Sequence, residues 1–498
     1  MNTITHSTLI TWVNESDDLT QSSRDISEKS RDYYDSNQLD AAEIRALKKR
    51  KQPVVVINRI KPKIDGLMGL ERQNRTTAKA FPRTPKHEGG AHAATEAIRF
   101  VLDDNMYPQK RSAAWDTMLV EGTGGVEVIV KPDEENGYKV IANQIPWDRI
   151  IYDPYSRRKD FSDARYLGQV KWVDYDIAME DFPEGKDVLD TMIAGSQTYD
   201  DKPRWMDSRR RRVKIVELYY EDAGDIWYCC FTRGGTLKGP MVSPYKNEEG
   251  ETEDPYSFGS LFVTRDGERY GHTKQLLDVQ DEINKRRSKA LHLMSVRQTF
   301  GTKGVVEDVN AARQEMAKPD GHVEFAFGEL NKDFGVLPTG DMAQAQFHLL
   351  EEAKQEIDSV SYNAASSGKD MRNMSGVALR AREVAGQTEV APMFDVLKNM
   401  DIRVYRKIWN RVKQYWKKEM WLRVTDDERN LKFVGLNTPV TKGEQALKMA
   451  QSQGLPPEQL QMLAAQIQND PAANEIVDTS NEVANLDVDI VMADAPDT

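Results

Sequence analysis

Two long helical patterns with a small insert between them constrain the fold of this chain more than any other feature. The first runs from about Thr273 to Ser295 and the second from about Met342 to Ala365. In each, apolar residues recur in steps of three and four, and the aliphatic stem of Arg287 fills one gap, which predicts one narrow stripe on a helix. The stripe residues are Leu276, Val279, Ile283, Ala290 and Met294 in the first pattern, and Phe347, Leu350, Ala353, Ile357, Val360 and Ala364 in the second. A stripe this thin cannot hold a lone helix in a core, so each helix needs a neighbour along its whole length.

The charged residues beside the two stripes indicate what that neighbour is. The first helix carries a basic block and the second an acidic block; the residues are Lys285, Arg286, Arg287 and Lys289, and Glu351, Glu352, Glu356 and Asp358. If the helices fold back antiparallel, Arg286 is expected to lie level with Glu352, either within one hairpin or between subunits of a ring. Exposed ion pairs contribute about 0.2 to 1 kcal/mol each, so they select a partner rather than supply stability. The alternative is an ordinary hairpin with solvated charges.

Length and charge set the outer limits. The chain has 498 residues, too many for one hydrophobic core, so we expect roughly two to four lobes. Its net charge of −12 disfavours tight binding of nucleic acid by the whole surface, although a local basic contact is compatible with it. No apolar run approaches the ~20 residues that span a bilayer, and the N-terminus lacks a signal-peptide pattern. We therefore expect assembly in a cytoplasm without a membrane partner.

The remaining patterns predict an α+β protein. The predicted segments are helices at 5–37, 41–51, 91–104 and 109–121, short strands over 126–262, an αβ insert with strands at 300–306 and 322–327, a long helix at 377–420 and a hairpin at 421–434 that a strand at 483–492 could join. Pro392 is expected to kink the long helix. The adjacent Cys229 and Cys230 are predicted to be packed thiols in a strand, because neighbouring cysteines cannot join distant segments.

Three aspartates raise the question of whether the chain is an enzyme. Asp153, Asp160 and Asp163 could bind a divalent metal in a DNA-processing nuclease. Their spacings fit no calcium loop, and turn residues and arginines around them favour aspartates that cap turns. The chain contains no phosphate-loop motif and no zinc-protease histidine pair. We predict no catalytic site, no metal and no cofactor, with the nuclease and a cytoplasmic scaffold of helical hairpins as the alternatives.

Four groups of residues occur in an order that resembles one protein family. They are Asn58-Arg59-Ile60 with Ile64-Asp65-Gly66 and Gly69 to Arg75; Trp147-Asp148-Arg149 with Asp153 to Arg158 and Asp160 to Tyr166; Arg265 to Gly271 with Gln280 to Ser288; and Met374 to Ala378. On these stretches the chain resembles the portal (head-to-tail connector) proteins of tailed, double-stranded-DNA bacteriophages, specifically the short-tailed phage type. None of the stretches is a catalytic motif.

The resemblance implies a ring, usually of about twelve subunits, at one vertex of the capsid. DNA would be pumped through its channel by the terminase, retained, and later released through the tail. The implied partners are further copies of the chain, double-stranded DNA, terminase, the major capsid and scaffolding proteins, and a tail adaptor protein. The implied location is the virion, after assembly in the host cytoplasm. An acidic body with few channel cations would suit this role, because each added phosphate contact increases DNA affinity.

Carried over by position, the resemblance divides the chain into named parts. These are the wing at 1–262, the stem helices at 263–296 and 342–365, the clip at 297–341, the tunnel loop at 366–376, the long wing helix at 377–420, and strands leading to the crown at 421–498. In the tunnel loop, Lys369 and Arg372 are the predicted DNA-facing cations; a loop with incidental charges is the alternative. In the clip, the predicted partner surface contains Lys303, Arg313 and Lys318.

Overall fold

The helices and strands of the computed structural model confirm the predicted α+β class. The structure describes residues 4–73, 75–85, 88–134, 137–195, 205–207, 209–295, 299–318, 320–324, 327–328, 332–336, 340–360, 376–424, 432–452, 456–468 and 470–494. By contacts, the chain divides into two units, each drawn from separated segments. The first unit contains Met1–Arg24, Leu70–Gly271 and Pro392–Thr498, and the second contains Asp25–Gly69 and His272–Ala391. Residues 25–69, which the sequence analysis placed in the wing, therefore share a unit with the stem and clip segments.

The helices predicted along the chain are present within the described residues, whereas the two helices between 175 and 195 were not predicted. The helices of the described residues are α1 (His6–Leu19), α2 (Gln21–Tyr34), α3 (Ala41–Lys49), α4 (Ile60–Gln73), α5 (Glu88–Asp104), α6 (Tyr107–Val120), α7 (Tyr175–Asp181), α8 (Lys186–Gly195), α9 (Leu277–Ser295), α10 (Val309–Ala317), α11 (Gly340–Val360), α12 (Gly376–Tyr415), α13 (Lys442–Ser452) and α14 (Pro457–Gln468). Pro392 lies inside α12. No helix in the described part of the chain combines the length and the apolar character that a bilayer crossing requires.

The strands are short, and their pairings in the described residues are antiparallel. They are β1 (Thr76–Pro82), β2 (Thr123–Asp133), β3 (Gly137–Ile145), β4 (Ile150–Tyr152), β5 (Tyr166–Asp174), β6 (Met206–Asp207), β7 (Arg212–Asp222), β8 (Asp225–Thr232), β9 (Gly235–Val242), β10 (Tyr256–Ser260), β11 (Phe262–Val263), β12 (Arg269–Tyr270), β13 (Thr299–Gly301), β14 (Phe334–Val336), β15 (Met420–Val424), β16 (Lys432–Leu436), β17 (Thr438–Thr441), β18 (Ile476–Ser480) and β19 (Val488–Asp494).

A six-stranded sheet forms the centre of the first unit. Its order is β4-β5-β7-β8-β9, with β6 beside β7. Side chains alternate along β7, so Val216, Leu218 and Tyr220 point to the face that packs against α1. The opposite face carries an aromatic core that includes Tyr219 and continues into the three-stranded sheet β10-β2-β3. Each face of the sheet is therefore covered, as a buried central strand requires.

The two cysteines lie in β8, on opposite faces of this sheet. Both side chains are buried and free. Burial raises the pKa of the Cys229 thiol to about 11 and that of Cys230 to about 12. The prediction of packed thiols in a strand is confirmed, and their raised pKa values leave little thiolate at neutral pH.

The second half of α12 is fixed to the first unit by buried charges. The Arg111 Nε of α6 lies 2.7 Å from Asp401 Oδ2, and the same guanidinium donates to Glu71 at the end of α4. The Tyr107 hydroxyl donates to Asp401 at 2.8 Å. Burial raises the pKa of Asp401, while Arg111 and Tyr107 stabilise its charged form. Removal of one partner from such a cluster leaves a buried charge uncompensated.

A row of cations on α12 holds the segment that leads into β10. Arg403, Lys407 and Arg411 recur every four residues and so lie on one side of the helix. Arg403 Nη1 donates to the Asp160 carbonyl at 3.0 Å, and Arg411 Nη1 donates to Glu253 at 2.6 Å. Lys407 donates to the Asp254 carbonyl. The helix thereby provides hydrogen-bond donors to the carbonyls of Asp160 and Asp254.

The strand predicted at 322–327 is absent over its described residues, and the strand predicted at 483–492 has a different partner. In the insert, residues 321–324 carry no regular structure, and β13 pairs with β14 rather than with a strand at 322–327. The predicted hairpin is confirmed as β15–β16. The strand β19, however, pairs with β1 and does not join this hairpin. The end of β1 lies in a stretch that was interpreted as a loop. Very short strands, and strands whose partner lies some 400 positions away, depend on that partner for their stability. Their own sequence therefore shows only a weak strand pattern.

Candidate functional site

The two predicted stem helices pack together in the second unit. The antiparallel pair β13–β14 places Thr299 opposite Val336, so the end of α9 lies beside the start of α11 and the helices form a hairpin. Most of the predicted stripe is confirmed as buried; the buried residues are Leu276, Ile283 and Ala290 on the first helix and Leu350, Ala353 and Ile357 on the second. Met294 and Val360, near the ends of the two helices, are exceptions, with 65% and 42% of their surface exposed.

Within the hairpin, the charges are not paired in the expected register. Arg286 forms an ion pair at 3.0 Å with Glu282, one turn back on α9, and donates to Gln346 of α11 at 3.4 Å. Gln346 thus takes the place expected for Glu352, nearly two helical turns further along α11. A pairing of Arg286 with Glu352 between copies of the chain remains a prediction.

The other charged residues of the hairpin lie at its surface. Lys285 pairs loosely with Asp281 at 3.7 Å, and Glu351 pairs with Lys354 at 3.1 Å, each on its own helix. Arg287 is half-buried, whereas Glu352 and Glu356 are exposed. An open cleft of about 510 Å³ follows the α9 charges from Asp278 to Lys289. One side of α9 therefore presents acidic residues followed by basic residues to the outside.

A second stripe on α9 is polar, and it binds an extended segment. We call Gln280, Asn284, Ser288 and His292 the polar ladder; they recur every four residues, so they share one side of the helix. The Arg59 N–H donates to Gln280 Oε1 at 2.9 Å, and Gln280 Nε2 donates to the Ile57 carbonyl at 2.7 Å.

The remaining rungs continue along the same segment. The Ile57 N–H donates to Asn284 Oδ1 at 3.1 Å, and Ser288 Oγ donates to the Pro53 carbonyl at 2.7 Å. The His292 ring lies 3.2 Å from the Lys51 carbonyl. The backbone of residues 52–59 is thus hydrogen-bonded along one edge, as in a β-strand. The partners are side chains of α9, and not the backbone of a neighbouring strand.

Asn58 joins this segment to the helices on both sides of it. Its Nδ2 donates to the Tyr33 and Tyr34 carbonyls, at 2.9 Å each, near the end of α2. Its Oδ1 accepts from the Ile60 and Lys61 N–H groups at the start of α4. One side chain therefore caps two helices. Two of the stretches that carry the family resemblance, around Asn58 and around Gln280, are thus in direct contact.

The sequence analysis missed the polar ladder, although its signal was present. The interpretation of α9 counted only apolar positions, whereas polar residues at a constant spacing of four also mark a buried side. Gln280, Asn284 and Ser288 are all at most 3% exposed. Buried amides require partners, so a polar stripe next to an apolar one predicts a bound backbone segment.

The three candidate metal ligands in the first unit bind the backbone of their own turn. Asp153 accepts from the Tyr155 and Arg165 N–H groups, at 2.9 and 3.1 Å. Asp163 accepts from the Arg157 N–H and the Ser156 hydroxyl, each at 2.7 Å. Among the residues that the structure describes, no group of three or more histidines, cysteines or acids is arranged to hold a metal ion. These contacts support the interpretation of the aspartates as turn caps.

The electrostatics of the turn agree with structural roles for its aspartates. Burial raises the pKa of the Asp160 and Asp163 carboxyl groups, but hydrogen bonds outweigh it and leave both pKa values below the ordinary range. For Asp160 the donors are the N–H and hydroxyl of Ser162. Both groups are therefore fixed as charged acceptors and are poorly suited to act as general acids.

A buried arginine organises the inside of the same turn. Arg269 is 1% exposed, and its guanidinium donates to the Ser156 and Arg158 carbonyls at 3.1 to 3.2 Å. The Phe161 ring lies 3.7 Å from the guanidinium carbon. Burial lowers the pKa of Arg269 to about 10. Two further stretches of the resemblance, around Asp153 and around Arg269, are thus also in contact.

The predicted site residues of the insert take no part in these networks. Lys303, Arg313 and Lys318 are exposed on the insert, where Lys318 forms an ion pair with Glu315. Lys369 and Arg372 lie outside the described residues. The roles of the predicted clip and tunnel-loop cations therefore remain predictions.

Comparison with known proteins identifies the family. A family model described as phage P22-like portal protein matches residues 10–224 and 221–498, which together run through nearly the whole chain. No curated protein matches the chain.

The polar ladder yields a stability prediction. Asn284→Ala leaves the Ile57 N–H and the Gln38 amide oxygen, which lies 2.7 Å from Asn284 Nδ2, without their partner. We expect a loss of about 2 to 6 kcal/mol, because each of the two unsatisfied groups costs about 1 to 3 kcal/mol. Hydrogen–deuterium exchange should show faster exchange concentrated in residues 52–59, and denaturant unfolding should show the lower stability. The matched control is the exposed neighbour, Lys285→Ala, for which we expect less than about 0.5 kcal/mol. Equal effects of both changes would contradict this role of the ladder.

Proposed function

The chain belongs to the phage P22-like portal protein family, and from this premise we propose that it forms a ring at one vertex of a phage capsid. In this proposal the genome is packaged through the ring by the terminase, retained, and later released through the tail. The short-tailed type and a ring of about twelve copies are part of the proposal. The observation that carries it is the match of the family model from residue 10 to residue 498.

The hairpin supports assembly of several copies. Its apolar stripes are buried between α9 and α11, while Lys285 and Lys289 on one helix and Glu352 and Glu356 on the other remain exposed. A closed ring uses two different faces of each subunit, so opposite charges on the two helices can face each other between neighbours. Many equal pairs around a ring select the orientation of the copies, although each pair alone contributes little.

The division into parts and partners belongs to the same proposal. The wing, stem, clip, tunnel loop and crown keep the ranges given by the resemblance. Lys303, Arg313 and Lys318 on the insert are proposed contacts for a partner protein such as terminase or the tail adaptor, together with capsid and scaffolding proteins elsewhere. The nuclease alternative has no support, since Asp153, Asp160 and Asp163 accept hydrogen bonds within their own turn.

The first test of the proposal is the mass and symmetry of the purified protein. We expect native mass spectrometry and negative-stain top views to show a closed ring of about twelve copies with a central hole. If the purified chain is monomeric, the measurement is repeated after coexpression with the phage scaffolding protein. A chain that stays monomeric there, and that cleaves DNA with magnesium, would be an enzyme and not a portal.

Charge reversal tests the proposed contact between copies. Arg286→Glu should shift the mass distribution from rings to smaller species, because it places like charges opposite each other at every interface. The double variant Arg286→Glu/Glu352→Arg should restore rings. Lys48→Glu on α3 is the control, because it makes the same change of charge at an exposed site outside the hairpin. Failure of the double variant to recover would exclude this pair as the contact.

The tunnel-loop cations yield a second functional prediction. Lys369→Ala/Arg372→Ala should leave rings intact and reduce packaged or retained DNA, because two phosphate contacts per subunit are lost. The measurement is the DNA content of particles assembled with the variant. Normal DNA content would remove these two residues from the proposal.

A further inference from the structure

Three consecutive cations extend from the turn that Arg269 organises. Arg157, Arg158 and Lys159 are exposed and line an open cleft of about 520 Å³, whose opposite wall is the part of α12 from Pro392 to Arg403. Arg157 Nη1 donates to the Pro154 carbonyl at 3.3 Å, and Arg158 Nη1 donates to the Ser162 hydroxyl at 3.1 Å. The Lys159 ammonium lies 5.5 Å from the centre of the Phe262 ring.

These three side chains lack acidic partners in an acidic protein. Within the described parts of the chain, no carboxylate oxygen comes within 4.0 Å of their charged nitrogens. The chain as a whole has 80 acidic and 68 basic residues. Because no carboxylate of the described residues neutralises it at close range, the basic triplet is available to an external anion.

The exposed run Arg209 to Arg211 makes the contrast clear. Arg211 lies 3.8 Å from Asp176 and over the Tyr175 ring, and the next residue, Arg212, pairs with Asp174 at 2.7 Å. That run is of equal length and is also exposed, but it is partly neutralised. The difference lies in the surroundings, since the residue types are nearly the same.

The backbone below the triplet is unusually well fixed. The Asp163 carboxylate accepts hydrogen bonds from the Arg157 and Arg158 N–H groups. The buried Arg269 guanidinium donates to the Ser156 and Arg158 carbonyls. Arg403 holds the Asp160 carbonyl from the α12 side. A fixed backbone lowers the entropy that binding must remove, so three long side chains can act together on a repeating anion.

We propose that Arg157, Arg158 and Lys159, with the neighbouring Tyr155, bind the phosphate backbone of duplex DNA. Tyr155 is 70% exposed, and arginine, lysine and tyrosine are side chains that contact phosphates in protein–DNA complexes. The proposal rests on the proposed function for the choice of DNA as the polyanion. It places a second DNA contact on the wing, apart in sequence from the tunnel loop. Asp395 on the facing wall limits the affinity by repulsion.

The test is DNA binding by the assembled protein as a function of salt. Fluorescence anisotropy with a labelled duplex of about 30 base pairs compares the wild type with Arg157→Ala/Arg158→Ala/Lys159→Ala between about 50 and 200 mM salt. We expect at least about tenfold weaker binding at the lowest salt, and a log–log salt slope reduced by about 2 to 3, because each phosphate contact contributes about 0.9. The matched control is Arg209→Ala/Arg210→Ala/Arg211→Ala, with the same change in charge and an expected effect below about twofold.

A variant that is expected to tighten DNA binding distinguishes a loss of binding from a disruption of the turn's structure. Asp395→Asn removes the facing carboxylate without touching the triplet, and we expect about two- to threefold tighter binding. Equal losses in the two triple variants would show general charge attraction and overturn the proposal, as would unchanged binding in the first triple variant. Loss of rings in that variant with unchanged DNA affinity would instead make the surface a contact between copies. Failure of the proposed function would be recognised independently of DNA binding, because the wild-type chain would then form no ring.

Discussion

The need to hydrogen-bond an isolated extended backbone determines how α9 is used. Residues 52–59 are an extended, half-buried to exposed segment that pairs with no strand among the described residues, so those of its backbone groups that face away from water need other partners. The polar ladder of Gln280, Asn284 and Ser288 supplies these partners, because one helix face presents amide and hydroxyl groups at a spacing that meets the segment. The apolar stripe of α9 is occupied by α11. Only the third side of α9 remains, and it carries the charges that the portal proposal assigns to neighbouring copies.

The elements that could be predicted from the sequence are those whose pattern repeats locally. Helices α9 and α11 repeat an apolar position every three to four residues, and the hairpin β15–β16 places its two strands close in the chain. The pair β1–β19 could not be predicted in this way, since Ala80 faces Ile490 and neither stretch specifies the other. The polar ladder was in principle readable. It was missed because only apolar residues were treated as evidence of burial.

The candidate site shows the same limit more sharply. Turn-capping roles for Asp153 and Asp163 could be predicted, since aspartates near arginines and turn residues usually bind backbone N–H groups. The position of Arg286 could not, because a small change in where α11 begins moves every residue along the hairpin. Arg269 gave no sequence signal beyond its place in a resembling stretch, although it is buried against the Phe161 ring. A buried arginine and an exposed one look alike in a sequence, and only the surrounding acceptors distinguish them.

A ring that passes DNA must hold it weakly at many places rather than tightly at one. Each phosphate contact releases counterions and steepens the dependence on salt, so a few cations per subunit, repeated around a ring, already give substantial attraction. A net charge of −12 makes the surface as a whole repel DNA. Several basic side chains of the described residues, among them Arg111, Arg212 and Arg411, are neutralised by ion pairs with acids. Cations without an acidic partner are then the positions at which the surface attracts DNA phosphates instead of repelling them. In the proposed ring, their number per subunit, and not the total count of arginines and lysines, would set how strongly DNA is held.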